Sequence, residues 1–257
     1  MSFPEPKPAA TVVVMRESSR PSPSPDGAMK GESAGGPEIL MVQRGRGAAF
    51  MADAWVFPGG RVDPADGEGD EAFARAAARE LLEEAGLVVE ASALQQFARW
   101  ITPSHEPRRY DTRFFLVAAP AGEAQVDARE VVASRWSTPA ALLADHEAGR
   151  IKLPPPTWAT LDELGRLPSL EAARTWAAAR SRDPILPKLV LLPENRLAIY
   201  LPWDPEYAAQ PGDGHPLPAD HPLAVAFGPR TRFVLEPGPP KADGSPGDPR
   251  WWARPPT

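Results

Sequence analysis

One stretch constrains this chain more than any other. From Glu71 to Ala85 it has no β-branched residue and is rich in Ala, Leu, Glu and Arg. Those residues have strong helix preference, so the composition predicts a helix, and Gly86 supplies its left-handed stop. On an ideal helix Glu80, Glu83 and Glu84 fall within an arc of about 100°. Leu81, Leu82, Ala85, Ala78 and Ala74 occupy the opposite side, the face expected to pack against a sheet. Ala76 and Ala77 lie one turn below the carboxylates, where small side chains are expected to leave room for a bulky group. Glu71, Arg75, Arg79 and Glu83 form an i, i+4 ladder of opposite charges, which accounts for the arginines. Glu80 and Glu84 are instead an i, i+4 like-charge pair for which the ladder spacing suggests no basic partner on the helix. A glutamate-rich face is usually just solvated. Clustered carboxylates on a rigid element are also what Mg²⁺ or Mn²⁺ takes, completing its shell with water and substrate phosphate.

The rest of the chain narrows the classes. There is no Cys among 257 residues, which excludes disulfide frameworks, Cys-ligated zinc, iron–sulfur clusters and thiol catalysis. A hydrophobic share of 42% against 34 Pro and 20 Gly describes a folded chain with long Pro-rich loops. The net charge of −6, with no Lys/Arg cluster of the needed kind, argues against binding the nucleic-acid backbone. No apolar run has membrane-spanning length and the first residues lack a signal-peptide layout, so a cytoplasmic protein with no membrane contact is expected.

Ala10–Met15, Ile39–Gln43, Trp55–Phe57, Arg113–Ala118 and Val131–Trp136 read as strands, the first two paired across a mobile Ser/Pro/Gly-rich loop at 18–37. Thr138-Pro139 is an N-cap and first-turn pair for a helix to about Glu147. Leu153–Thr157 reads as a rigid connector, followed by helices near Trp158–Leu164 and Leu170–Arg180. Lys188–Leu192 and Arg196–Leu201 look like a β-hairpin, with a further strand at Arg232–Leu235. The segments Gln210–Pro222 and Pro237–Thr257 read as loop or frayed chain, and Trp251-Trp252 as a docking contact or part of that fraying.

The string Gly59-Gly60, Glu71 and Arg79-Glu80-Leu81-Leu82-Glu83-Glu84-Ala85-Gly86-Leu87 resembles the Nudix box, G-x5-E-x7-R-E-U-x-E-E-x-G-U with U aliphatic. From Glu71 onward every fixed position matches. One departure is plain: ten residues rather than five separate Gly60 from Glu71, implying a five-residue insertion within Arg61–Asp70. The segments Phe57–Asp66, Trp100–Pro103, Arg109–Phe115 and Leu153–Thr157 are similar to one branch of that family. It includes peroxisomal acyl-CoA diphosphatases and Nudix-like modules found ahead of metallo-β-lactamase-like domains. The likeness covers roughly Ala9 to Asp204; the H-x-H-x-D motif of a metallo-hydrolase partner does not occur in the chain.

The resemblance implies an α/β Nudix fold, an α/β/α sandwich with a mixed sheet, here with a C-terminal helical and β-hairpin extension. The expected division is an N-terminal tail at 1–8, a Nudix domain at 9–150, an extension at 151–236 and a Pro-rich tail at 237–257. It implies metal-dependent hydrolysis of a diphosphate linkage in a nucleoside diphosphate joined to another moiety. CoA or an acyl-CoA is the leading substrate. ADP-ribose or another nucleotide sugar, and a non-catalytic nucleotide-sensing module, are the alternatives. Glu80, Glu83, Glu84 and the Gly60 carbonyl would hold Mg²⁺ or Mn²⁺, and Arg79 would orient Glu83. The general base is either Glu80 or Glu130. Arg44, Arg46, Arg108, Arg109 and Arg113 are candidate phosphate contacts, and Trp55, Phe114 and Trp158 could stack a base or simply pack. The C-terminal segment is expected either to close over the active site or to build a homodimer.

Overall fold

The first strand alternates between two hydrophobic layers, and that alternation organises the molecule. In β1 (Lys7–Arg16), Ala10, Val12 and Val14 pack with one buried cluster, while Val13 and Met15 pack with another. Successive strand residues point to opposite faces, so β1 is covered on both sides. The computed structural model describes residues 3–18, 36–45, 47, 51–125, 131–193, 196–238 and 247–254, the last stretch from 236 onward as backbone only.

Among the described residues β1 belongs to an eight-stranded mixed sheet. It pairs in parallel with β6 (Tyr110–Ala118) along its whole length. On its other edge it meets β2 (Glu38–Arg44) only at Met15↔Ile39 and Arg16↔Glu38. From there the two strands splay. The short strands β3 (Trp55–Val56) and β4 (Gly59–Arg61) fill the opening, β3 against β2 and β4 against β1. The strand β5 (Gln95–Ile101) continues the sheet beyond β6, and β7 (Val131–Ser137) runs antiparallel to β2. The 18–37 loop lies largely outside the described residues.

Helix α1 (Asp70–Ala85) covers one face of the sheet and ends at Gly86, whose φ of 65° and N–H bond to the Leu82 carbonyl form the expected left-handed cap. Its packed residues are Ala76, Ala77, Leu81 and Ala85, all fully buried. This corrects two expectations. Leu82 is exposed at 49%, and Ala76 and Ala77 give room to the sheet rather than to a ligand. Small side chains there let the helix backbone approach β1 and β4 closely.

The opposite face is covered by the C-terminal half. Helix α2 (Pro139–Glu147) is capped by Thr138, whose hydroxyl accepts from the Ala141 N–H at 3.3 Å. Helix α3 (Pro155–Leu164) begins earlier than expected. Pro155 and Pro156 are its first turn rather than a connector, because that turn needs no N–H donor. Helix α4 (Leu170–Ala179) starts at the Ser169 cap and is followed by β8 (Pro184–Ile185), parallel to β5. A second, antiparallel sheet holds β9 (Lys188–Leu191), β10 (Leu197–Tyr200), β11 (Arg232–Gly238) and β12 (Gly247–Arg254). Helix α5 (Pro222–Phe227) sits between β10 and β11 in sequence. The β9–β10 hairpin matches the expectation, whereas β12 replaces an expected frayed tail and includes the backbone of Trp251 and Trp252. One buried cluster joins Val13, Phe97 and Phe114 of the large sheet to Trp158 and Leu161 of α3 and to Ile199 and Phe233 of the second sheet.

Candidate active site

The splay of β1 from β2 makes the site. Gly59 and Gly60, on β4, lie against Thr11 and Ala10 of β1, and the Val12 N–H donates to the Pro58 carbonyl at 2.9 Å. A Cβ at Gly59 would collide with the Thr11 side chain and the Ala10 carbonyl, and one at Gly60 would collide with the Glu80 carboxylate. Only glycine lets this strand sit between the sheet and the acidic face of α1.

The three carboxylates have different surroundings. Glu84 is 6% exposed and its Oε2 accepts the Gly59 N–H at 2.9 Å. Glu80 accepts from Arg79 Nη1 at 2.9 Å, and the exposed Glu83 accepts from the same nitrogen at 3.1 Å. Arg79 therefore braces both neighbours. It is itself held from behind: Nε and Nη2 donate to the two Asp66 oxygens at 3.1 and 3.0 Å, and Nη2 also donates to the Arg61 carbonyl at 2.9 Å.

The sequence reading assigns Asp66 no role in the site. It ends a 3-10 turn (Pro64–Asp66) within the lengthened loop, and its Oδ2 accepts the Asp63 N–H at 2.8 Å. Burial alone would raise the Asp66 carboxyl; the Arg79 hydrogen bonds and the Asp63 N–H more than offset that and hold it below the ordinary carboxylate value. The same bonds to Asp66 raise the Arg79 guanidinium further above its already high value. The signal for it in the sequence is the lengthened loop before the helix, which carries acids of no assigned use.

These groups border a cavity of about 840 Å³. Glu80, Glu83 and Glu84 form one wall, β4 and β1 the floor, Phe114 and Thr112 of β6 another side, and Pro154 and Thr157 at the start of α3 the far rim. Arg44, at the end of β2, lines it too, and its Nε is buried without a hydrogen-bond partner among the described residues. A guanidinium on the wall favours an anionic occupant.

The other expected contacts are distributed differently. Arg109 is 6% exposed and outside this cavity, its guanidinium donating to the Thr102 and Pro4 carbonyls at 3.1 and 2.7 Å. Arg113 alternates to the α1 side of β6, where it stacks on Phe73 at 3.8 Å and pairs with Asp70 at 2.8 Å. Neither points at the cavity. Trp158 is buried in the core and Trp55 lies beneath Arg135, so of the three aromatic candidates only Phe114 lines the cavity. Arg46 and Glu130 lie outside the described residues.

Among the described residues no group of three or more His, Asp or Glu side chains is placed to hold a metal ion by itself. The donor chemistry on the cavity wall is nonetheless all oxygen, with the Gly60 backbone directly against the Glu80 carboxylate. Mg²⁺ keeps several waters and is typically held by one or two carboxylates plus substrate phosphates, so this wall suits a hydrated hard cation.

Comparison with known proteins decides the family. The model of the NUDIX domain matches residues 27–155, half of the chain. The chain belongs to the Nudix family. It is a Nudix-type hydrolase acting on pyrophosphate bonds, in a family that binds small nucleotide-type substrates. This Nudix chain is 28% identical over 207 residues to a Caenorhabditis elegans protein named nudix hydrolase 7, covering 66% of this chain and 69% of the relative. It is 28% identical over 130 residues to the acyl-coenzyme A diphosphatase NUDT19 of Xenopus laevis, covering 46% of this chain and 33% of that protein. The chain thus matches about a third of that diphosphatase's length. A NUDIX hydrolase from Alicyclobacillus acidocaldarius superposes with a TM-score of 0.57 at 24% identity, over 72% of this chain and 100% of the other, which shows a shared fold. Among the described residues no helix is long and apolar enough to cross a membrane.

Proposed function

We propose that this Nudix hydrolase cleaves the diphosphate of CoA or an acyl-CoA, using Mg²⁺ or Mn²⁺, in the cavity between α1 and β4. The observation that carries the reading is the joint facing of Glu80, Glu83 and Glu84 with Gly60 and Arg44 on one cavity. The match to proteins named acyl-coenzyme A diphosphatase favours the substrate.

Glu80, Glu83, Glu84 and the Gly60 carbonyl would hold the cation, which when bound offsets the charge that develops on the diphosphate oxygens. Arg44, which lines the cavity, supplies positive charge for a phosphate oxygen. Arg79, bonded to both Glu80 and Glu83, fixes their rotamers, so that no binding energy goes into ordering them. Water attacks one phosphorus in line as the bond from that phosphorus to the bridging oxygen breaks; the water's proton goes to Glu80 or to Glu130, and the other phosphate leaves with the bridging oxygen. Supporting Glu130 is Val131, the next residue in sequence, which lines the cavity.

The test is a hydrolysis screen with Mg²⁺ or Mn²⁺ over CoA, acetyl-CoA, ADP-ribose, NADH and dinucleoside polyphosphates, with products identified by mass. Phosphopantetheine (or its acyl form) and adenosine 3′,5′-bisphosphate are the expected products. Preferential release of AMP from ADP-ribose would move the assignment to nucleotide sugars. Binding with no cleavage of any of these would favour a nucleotide sensor.

A further inference from the structure

A second depression of about 300 Å³ adjoins the cavity, and its charge is opposite to that of the chain. Lys7, Arg61, Arg108 and Arg109 line it against a single carboxylate, Glu5, in a protein whose net charge is −6. Arg61 and Tyr110 line both spaces, so the two are neighbours across one arginine and one tyrosine ring.

The depression is built on fixed elements. The Lys7 N–H donates to the Arg109 carbonyl at 2.9 Å where β1 meets β6. The Arg109 guanidinium, held by the carbonyls of Thr102 and Pro4, contributes its charge from behind the wall. The Arg61 carbonyl is fastened to Arg79, which ties one edge of the depression to the catalytic helix. Lys7, Arg61 and Arg108 are exposed.

We propose that this basic annex receives a phosphomonoester carried by the same substrate whose diphosphate occupies the main cavity. The proposal rests on the diphosphatase reading and sharpens it. The preferred substrate is a nucleoside diphosphate derivative with an additional phosphate on its ribose. Several cations around one small hollow recognise a dianion far better than a hydroxyl at the same place. Lys7 and Arg108 supply the charge-assisted contacts, and Arg61 divides the phosphomonoester from the diphosphate.

The experiment compares matched substrates: CoA with 3′-dephospho-CoA, and 2′-phospho-ADP-ribose with ADP-ribose. It uses the full chain and a Lys7→Ser/Arg108→Ser double variant. Wild type is expected to favour at least one phosphorylated member by about tenfold to a hundredfold in kcat/KM, and the double variant to bring that ratio close to one. Arg108→Lys, which keeps the charge, is expected to retain most of the preference. Titration calorimetry with adenosine 3′,5′-bisphosphate and AMP reads the same contrast without turnover. Equal rates within both pairs overturn the annex and leave the hydrolase reading standing. A double variant that weakens both members of a pair equally also overturns it. If no substrate is cleaved, the diphosphatase reading fails, and equal binding of bisphosphate and monophosphate then removes the annex as well.

Discussion

Replacing Asp66 by Asn removes the charge that holds Arg79 while nearly preserving shape. Arg79 presents two N–H groups to the two Asp66 oxygens at 3.1 and 3.0 Å. Asn keeps one acceptor and turns an NH₂ group toward the guanidinium, so one bond becomes a donor–donor contact. Hydrogen bonds to charged groups contribute about 1.5–3 kcal/mol net. Arg79 retains Glu80, Glu83 and the Arg61 carbonyl and is a quarter exposed, so the loss stays within that range instead of reaching that of an isolated buried charge. For a chain of this size it lowers Tm by about 3–12 °C. The effect depends on pH with a definite sign. The folded-state pKa lies below the ordinary 3.8, so the stabilisation is fully present above that value and is lost as pH falls through the depressed one. The Tm gap between wild type and Asp66→Asn should be constant from neutral pH to about pH 5 and close below about 3.8. Because Arg79 braces Glu80 and Glu83, kcat should fall by about tenfold to a hundredfold, the cost typical of losing an outer-shell support. Thermal melts from pH 3 to 7 with steady-state kinetics read both quantities. A variant with wild-type Tm at pH 7 and unchanged kcat would refute the clamp.

Three further outcomes follow from the same geometry. Gly60→Ala places a methyl group against the Glu80 carboxylate and should cut turnover by about 10²-fold, read by kinetics on a sample whose circular dichroism is unchanged. Arg44→Ala removes a guanidinium from the cavity wall and should raise KM by about tenfold to a hundredfold, with a smaller change in kcat. Leu81→Ala, at a fully buried position between α1 and the sheet, should destabilise by about 3–5 kcal/mol in a urea titration.

The sequence carried the helix and its acidic face because both depend on local composition and on spacing along one element. The Gly86 stop, the Thr138 cap and the β9–β10 hairpin were readable for the same reason. Strand β5 was not, because the bulge between Gln96 and Ala98 puts Phe97 and Ala98 both inside and breaks the alternation that marks a strand. Strand β4 is three residues long, two of them glycine, and exists only because β1 and β2 diverge. Leu82 was placed inside by its angle on an ideal helix, but the sheet covers only the narrower stripe through Ala77, Leu81 and Ala85. Arg109 and Arg113 look alike in sequence as phosphate ligands. One is taken by backbone carbonyls and the other by the alternation of β6. Asp66 escaped because its partner is thirteen positions away in sequence, and neither residue alone signals the pairing.

Glu83→Gln is the cleanest probe of the acidic wall, since Glu83 is exposed and its one described bond, to Arg79, is open to solvent. The measurement is turnover of the best diphosphate substrate across a Mg²⁺ or Mn²⁺ titration, for wild type and Glu83→Gln, with Tm recorded for both. If α1 carries the chemistry, the variant keeps its Tm within about 2 °C and loses about 10²-fold or more in kcat/KM. A variant that turns over as wild type does at every metal concentration would contradict the placement of the active site on this helix.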